Sequence, residues 1–160
     1  MRKRQAGFSL IELLIVVAII LIIAAIAIPN LLRSKMAANE ASAVGSLRTL
    51  NTACVDFVTT YGGFPGALSY LGGEGSSSYP TSTTAQLIDN VLQTGIKSGY
   101  TFSFSAAAAD SAGNIDNYLI TAAPIKPGTT GIRYFYTDQT GVIRANASGA
   151  AATSSSTPIS

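Results

Sequence analysis

Histidine is absent from this sequence of 160 residues, and cysteine occurs once, as Cys54. A single cysteine cannot form a disulfide bond within the monomer, and without histidine there is no Cys/His cluster to bind a metal ion. No histidine is available to activate Cys54 as a nucleophile, so we interpret it as a small apolar core residue. We therefore predict that the protein is not an enzyme and that it has no cofactor and no metal site.

Charged residues are also scarce, at 11% of the sequence against roughly 25% in an ordinary soluble domain. Three of the ten basic residues, Arg2, Lys3 and Arg4, lie within the first seven positions. Without that segment, seven Lys and Arg (ten minus three) stand against eight Asp and Glu. A near-neutral remainder gives no basic surface for nucleic acid, and we expect no direct nucleic-acid binding.

Much of the apolar content is concentrated in residues 8–29, which read FSLIELLIVVAIILIIAAIAIP. As a helix, this segment would be roughly 33 Å long, which is enough to cross a bilayer. Basic residues precede it, and Arg33 and Lys35 follow it. The local count slightly favours an N-terminus in the cytoplasm and export of the rest of the chain.

Two cleavage patterns are compatible with this segment. A secretory signal peptide would have a shorter apolar region and a small-residue cleavage site, which Ala24, Ala25 and Ala27 resemble. Cleavage after Gly7 would instead keep the apolar helix. The second pattern explains the carboxylate of Glu12, which costs about 2.5 to 3.5 kcal/mol at mid-bilayer if it has no partner. The new ammonium group of Phe8 would lie four residues from Glu12, in the same chain or a neighbouring subunit.

The stretch RKRQAGFSLIELLIVVAIILIIAAIAIPN resembles the leader and first helix of type IV pilins and their pseudopilin relatives. The shared features are a charged leader (residues 1–7) ending in Gly7, then Phe8, Glu12, an aliphatic run and Pro29. The resemblance implies cleavage between Gly7 and Phe8 and N-methylation of Phe8, both by a prepilin peptidase. It also implies an assembly charge pair between Glu12 and Phe8 of an adjacent subunit. The alternative is an ordinary single-span anchor with Glu12 at the cytoplasmic interface.

Pro29 removes a backbone donor, and we expect it to kink or locally open the helix. Residues 30–61 are predicted to continue the helix with one apolar face, because apolar residues recur at three- and four-residue steps. Gly62 and Gly63 mark its end. The members of the apolar face are Val44, Leu47, Leu50, Cys54, Phe57 and Tyr61.

The rest of the chain favours an α+β fold, in which the long N-terminal helix packs on a small antiparallel β-sheet head of about four strands. Residues 62–99 are predicted to form a connecting loop, with a short helix that ends at Gly95. Residues 100–146 are predicted to form the sheet, and residues 147–160 a flexible tail. The expected strands cover residues 100–105, 118–123, 132–137 and 142–145, the last two joined by a turn at 138–141.

Three weaker sequence patterns each allow a functional interpretation and a simpler one. Residues 110–116 place oxygen ligands around a glycine, as calcium requires, but the spacing fits a polar hairpin loop better. Phe57, Tyr61 and Phe64 cluster near the helix end, where core packing explains them better than charge transport. Residues 146–148 match a glycosylation acceptor pattern, which often occurs by chance.

These observations predict the structural subunit of a type IV pilus, a homo-oligomer assembled as a helical filament. The alternative is a pseudopilin of a type II secretion or DNA-uptake apparatus; a membrane-anchored enzyme fits least well. The expected partners are the prepilin peptidase, an inner-membrane assembly platform, and the membrane before assembly. The precursor would lie in the inner membrane, with its N-terminus in the cytoplasm and its head exported, and the assembled pilus would be extracellular.

Overall fold

A computed structural model describes residues 8–73 and 79–159 of the chain. It contains a long helix, α1, followed by two short helical turns and a six-stranded antiparallel sheet. The chain divides into two compact units, of which one ends at Lys35 and the other, here called the head, begins at Met36. The elements in chain order are α1 Leu10–Tyr61, a 3₁₀ helix Leu68–Leu71, α2 Asn90–Gln93, β1 Ile96–Lys97, β2 Tyr100–Ala106, β3 Tyr118–Pro124, β4 Tyr134–Asp138, β5 Arg144–Asn146 and β6 Thr157–Pro158.

Helix α1 has recognisable signals at both ends. At its start, the backbone N–H of Ser9 donates to Oε2 of Glu12 over 2.9 Å, one half of a capping box. At its end, Gly62 has a φ of 86°, and its N–H donates to the Val58 carbonyl over 2.9 Å. This left-handed glycine terminates the helix where the sequence predicts.

The sheet is a simple meander in which each strand pairs with the next along the chain. Alternate residues of β2, β3 and β4 are buried, and their registers align Phe102 with Ala122 and Ile120 with Thr137. These side chains form one core with the apolar face of α1 within the head. The α+β prediction and the predicted turn at 138–141 are confirmed, since the Gly141 N–H donates to the Asp138 carbonyl.

The sheet has six strands rather than the four expected. Strands β1 and β6 have two residues each, which is too short for an alternating pattern to show in the sequence. The segment 147–160, expected to be flexible, places Thr157 opposite Ala145 and buries Ala152. A turn in which the Ser156 N–H donates to the Thr153 carbonyl returns this segment to the open edge of β5.

The connecting region also has more order than expected. Leu68 and Leu71 of the 3₁₀ helix are buried, and the Leu71 carbonyl accepts from the N–H groups of Leu87 and Ile88. These bonds keep residues 87 and 88 out of a helix, so the helix predicted before Gly95 is only the four residues of α2. Its length is therefore decided by pairing with a distant turn and not by helix propensity.

Polar contacts attach α1 to the loop that precedes β4. Oε1 of Glu40 accepts from the backbone N–H groups of Ile132 and Arg133, at 2.8 and 3.1 Å. Its Oε2 accepts from Nε of Arg133 at 2.7 Å. Burial raises the pKa of the Glu40 carboxyl, but these hydrogen bonds and the guanidinium charge outweigh burial, so the pKa lies below its ordinary value. No sequence pattern predicts this contact, although Glu40 lies on the helical face of Ala43 and Leu47 and is only 8% exposed.

Candidate assembly interface

The N-terminal part of α1 exposes almost every large apolar side chain that it carries. From Phe8 to Leu32 these side chains are between 45% (Val17) and 83% (Phe8) exposed. An 18-residue window of the helix has a mean hydropathy of 3.3, and none of it is buried. A soluble monomer rarely leaves a continuous apolar surface of this extent uncovered. The segment is long and apolar enough to cross a membrane, and it needs lipid or other subunits around it.

The charged group of this segment lies at its beginning. Glu12 is in the first turn of α1, where its carboxylate accepts the Ser9 N–H described above. Phe8 lies two positions before the first residue of the helix, and Gly7 lies outside the described residues. The predicted cleavage point and the predicted charge pair between Glu12 and Phe8 therefore stay predictions. The pair requires an ammonium group that exists only after cleavage.

Small residues along the same segment leave room for close packing. Ala18, Ala25 and Ala27 are exposed, and Ala24 is half-buried. Lipid tails are as apolar as these side chains, so association of such helices in a membrane depends on close contact of their backbones and on polar pairs. The arrangement on α1 supplies both, with alanines along the helix and one carboxylate at its start.

Pro29 lies inside α1, which is helical from Leu10 to Tyr61. Because proline has no N–H, position 29 cannot donate to the carbonyl of Ala25, and the ring crowds the preceding turn. The helix is therefore weakest close to residue 29. The predicted kink or local opening stays a prediction.

Burial and local hydrogen bonds explain the other candidate residues. Cys54 is fully buried in the core, and burial raises the pKa of its thiol to about 12, far from a reactive thiolate at neutral pH. Oδ1 of Asp110 accepts from the N–H groups of Ala112 and Asn114, both at 2.8 Å. This is the polar turn that we favoured over a calcium loop. Among the described residues, no group of three or more His, Cys, Asp or Glu side chains is arranged to bind a metal ion.

The aromatic residues near the end of α1 belong to the packing of the head, as expected. Phe57 is a core residue, and Tyr61 and Phe64 pack against the core while half-buried. The proposed glycosylation acceptor at 146–148 forms a turn, in which Oδ1 of Asn146 accepts from the N–H and the hydroxyl of Ser148, both at 2.8 Å.

Comparison with known proteins adds to this geometry. Residues 2–28 match a family model described as the prokaryotic N-terminal methylation motif. The chain is 35% identical over 133 residues to a type IV major fimbrial protein of Dichelobacter nodosus, an alignment that covers 81% of each chain. It is 50% identical over 54 residues to a type IV major pilin protein of Myxococcus xanthus, covering 34% of this chain and 24% of that protein. It is 36% identical over 52 residues to a type II secretion system core protein G of Aeromonas hydrophila, covering 32% of this chain and 36% of that protein. No solved structure matches the chain.

Proposed function

Because the chain belongs to the type IV pilin family, we propose that it is a structural subunit of a type IV pilus that polymerises through residues 8–29. The observation that carries this proposal is the exposed apolar segment at the start of α1, of which the described part of the chain buries no residue. The lipid bilayer covers it in the precursor, and the helices of sister subunits cover it in the filament. Burial of the same surface thus explains both the membrane state and the assembled state.

Proteolytic processing prepares the subunit to move from the bilayer into the filament. The prepilin peptidase cuts between Gly7 and Phe8 on the cytoplasmic side and methylates the new N-terminus of Phe8. The apolar helix remains part of the mature subunit, with the head on the exported side. The match of residues 2–28 to the N-terminal methylation motif supports this step. The inner-membrane assembly platform then adds mature subunits to the base of the growing filament.

Glu12 aligns the subunits during this addition. Its carboxylate lies among exposed aliphatic side chains, where an unpaired charge is expensive. The ammonium group of Phe8 in an adjacent subunit would also be a costly unpaired charge in apolar surroundings. Pairing the two fixes the axial position of one helix against the next, whereas apolar contacts alone would allow sliding.

A pseudopilin of a type II secretion apparatus is the second candidate, supported by the similarity to a core protein G. That alignment covers 52 residues, whereas the alignment with the major fimbrial protein covers 133 residues. An alignment of that length must include much of the head, which begins at Met36. The longer similarity therefore favours the pilus subunit.

The test is a mass analysis of filaments sheared from the cell surface. We expect abundant subunits that begin at Phe8 and carry one additional methyl group. A processed subunit found only in the cell envelope would support the pseudopilin instead. Subunits that retain residues 1–7 in the filament would contradict the proposed processing.

A further inference from the structure

The head has an open groove of about 370 Å³ at the C-terminal end of α1, a volume within the range of small-molecule sites. It forms where three stretches of the chain, distant in sequence, come together. We call it the aromatic groove and define it by six of its lining residues: Phe57, Tyr61, Phe64, Tyr70, Ser82 and Asn114. Neither the assembly segment nor any contact described above gives this groove a role.

Backbone hydrogen bonds hold its walls in place. After Gly62 turns the chain out of α1, the Phe64 N–H donates to the Ile115 carbonyl over 2.8 Å and joins the helix end to the β2–β3 loop. On the opposite side, Thr81 and Thr84 exchange two backbone hydrogen bonds of 3.1 Å, which present Ser82 at the tip of a tight turn. The groove is therefore formed before any ligand arrives, and little ordering is needed on binding.

The aromatic rings are fixed by packing, and Tyr61, Phe64 and Tyr70 keep part of their surface exposed. Phe57 forms the base and is 4% exposed, with the Tyr61 ring centroid 4.6 Å from its own. The Phe64 ring lies edge-on against Tyr118, with centroids 4.8 Å apart. Tyr70 is 36% exposed, and a Cβ atom at Gly66 would lie 3.3 Å from its ring, so glycine lets that ring lie against the backbone.

Polar groups of the groove are free to bind a ligand. Within the described part of the chain, the hydroxyls of Tyr61, Tyr70 and Ser82 and the side-chain amide of Asn114 form no hydrogen bond. Each of these groups can both donate and accept. No described residue that lines the groove carries a charge. A charged ligand would lose hydration there without meeting an opposite charge.

We propose that the aromatic groove binds a neutral saccharide. The C–H bonds on the face of a sugar ring are attracted to the electron-rich faces of aromatic side chains. Sugar hydroxyls, like the free groups of the groove, act as donors and acceptors at once. A proline-rich peptide would also stack on these rings, but it offers mainly carbonyl acceptors and would leave the acceptors of the groove unused. The site lies in the head and does not depend on polymerisation.

The experiment uses the full chain in dodecylphosphocholine micelles, because detergents with sugar headgroups would compete for the groove. Cellobiose, maltose, lactose and N,N′-diacetylchitobiose are tested by saturation-transfer NMR, and dissociation constants are measured by titration. We expect transfer to the C–H protons of at least one of these disaccharides. Tyr70→Ala and Asn114→Ala should each weaken binding roughly fivefold, from the loss of one ring face or one amide partner.

Tyr134→Ala is the matched control, since Tyr134 lies on the strand face opposite the buried Phe135 and outside the groove. It should leave the dissociation constant unchanged. If Tyr70→Ala does not fold, Tyr70→Leu keeps an apolar contact, removes the ring face and should weaken binding to a similar degree.

Three results would overturn the proposal: no transfer to any of the four disaccharides, equal weakening by the control variant, or stronger binding of a hexaproline peptide than of any disaccharide. Filament yield separates this proposal from the pilus proposal, because Tyr70→Ala should polymerise like the parent. If Tyr70→Ala fails to polymerise and binds saccharide as tightly as the parent, Tyr70 is an assembly residue and not a ligand contact.

Discussion

Two glutamates of α1 lie beside apolar side chains, and each has a different kind of partner. Glu40 lies inside the head, where it accepts three hydrogen bonds from a loop more than 90 positions away in sequence. Glu12 lies among exposed aliphatic residues and accepts one N–H of its own helix. Glu40 is thus satisfied within the monomer, whereas the proposed partner of the Glu12 charge is the Phe8 ammonium group of a neighbouring subunit.

The assembly role of Glu12 is tested by Glu12→Gln, which keeps an acceptor for the Ser9 N–H and removes the charge. We expect filament yield to fall roughly tenfold or more, because the ammonium group of Phe8 would be buried without a partner. Yield is measured as subunit in the sheared fraction relative to subunit in the membrane. Ser9→Ala is the control and should assemble normally. Filament formation by Glu12→Gln at the parental level would show that no charge pair is needed.

The contact of Glu40 with Arg133 predicts a loss of head stability in Glu40→Gln. We expect the free energy of unfolding to fall by about 1 to 3 kcal/mol at pH 7, since one buried charge-assisted contact is removed. Asp56→Asn, an exposed site on the same helix, should change it little. Thermal unfolding of the full chain in micelles gives the comparison. Equal melting of Glu40→Gln and the parent would show that the contact adds no stability.

The same substitution changes the pH dependence of stability. Because the pKa of Glu40 in the folded head lies below its ordinary value of 4.5, its contribution is complete above that pH and is lost as the pH falls through the folded pKa. The parent should therefore lose more stability than Glu40→Gln between neutral pH and acid below about pH 4.5. Parallel unfolding curves for the two proteins across this range would contradict the depressed pKa.

At the scale of elements, the helices and strands with the clearest local sequence patterns are the ones whose bounds were predicted correctly. Strands β2 and β3 have seven residues each and were expected within one residue of their observed bounds, because β2 alternates apolar and polar residues and β3 is a short apolar run. Helix α1 was likewise expected to end at Tyr61, where two glycines follow. Strands β1 and β6 were missed, because two residues are too few to show a pattern, and the short helix predicted before Gly95 is only the four residues of α2.

Pro29 is the element-scale feature that can be tested directly. Pro29→Ala supplies the missing N–H for the Ala25 carbonyl, and proline in a helix interior costs about 3 kcal/mol. In assembled filaments, amide hydrogen exchange close to residue 29 should slow at least tenfold. Ile28→Ala keeps the proline and should leave exchange unchanged. Equal exchange in Pro29→Ala and the parent would show that the helix is closed at this position already.

At the scale of the whole molecule, the apolar residues form two groups, a buried core and an exposed segment. The core cluster lies entirely within the head, from Ala43 onwards. Within the described residues, the exposed apolar side chains before Leu32 belong to no core. Folding of the head and association of the subunits therefore use different parts of the sequence.

This division predicts that a chain of residues 30–160 is a folded monomer in water without detergent. Its core is complete, and the apolar segment that drives association is removed. Sedimentation velocity should give one species of monomeric mass, and thermal unfolding should be cooperative. The full chain without detergent is the control and should aggregate. Oligomers of residues 30–160 would show that the head itself carries a strong association surface.

The sequence by itself determined the long apolar segment, its single carboxylate, the extent of α1 and the four longer strands. Those features are readable because each repeats a local pattern or matches a short motif, so no knowledge of the path of the chain is needed. Only the tertiary structure decided the partnership of Glu40 with Arg133, the pairing of β6 with β5, and the aromatic groove. Each of these joins residues that are distant in sequence, and the physical reason is general: which distant groups meet depends on how the whole head packs.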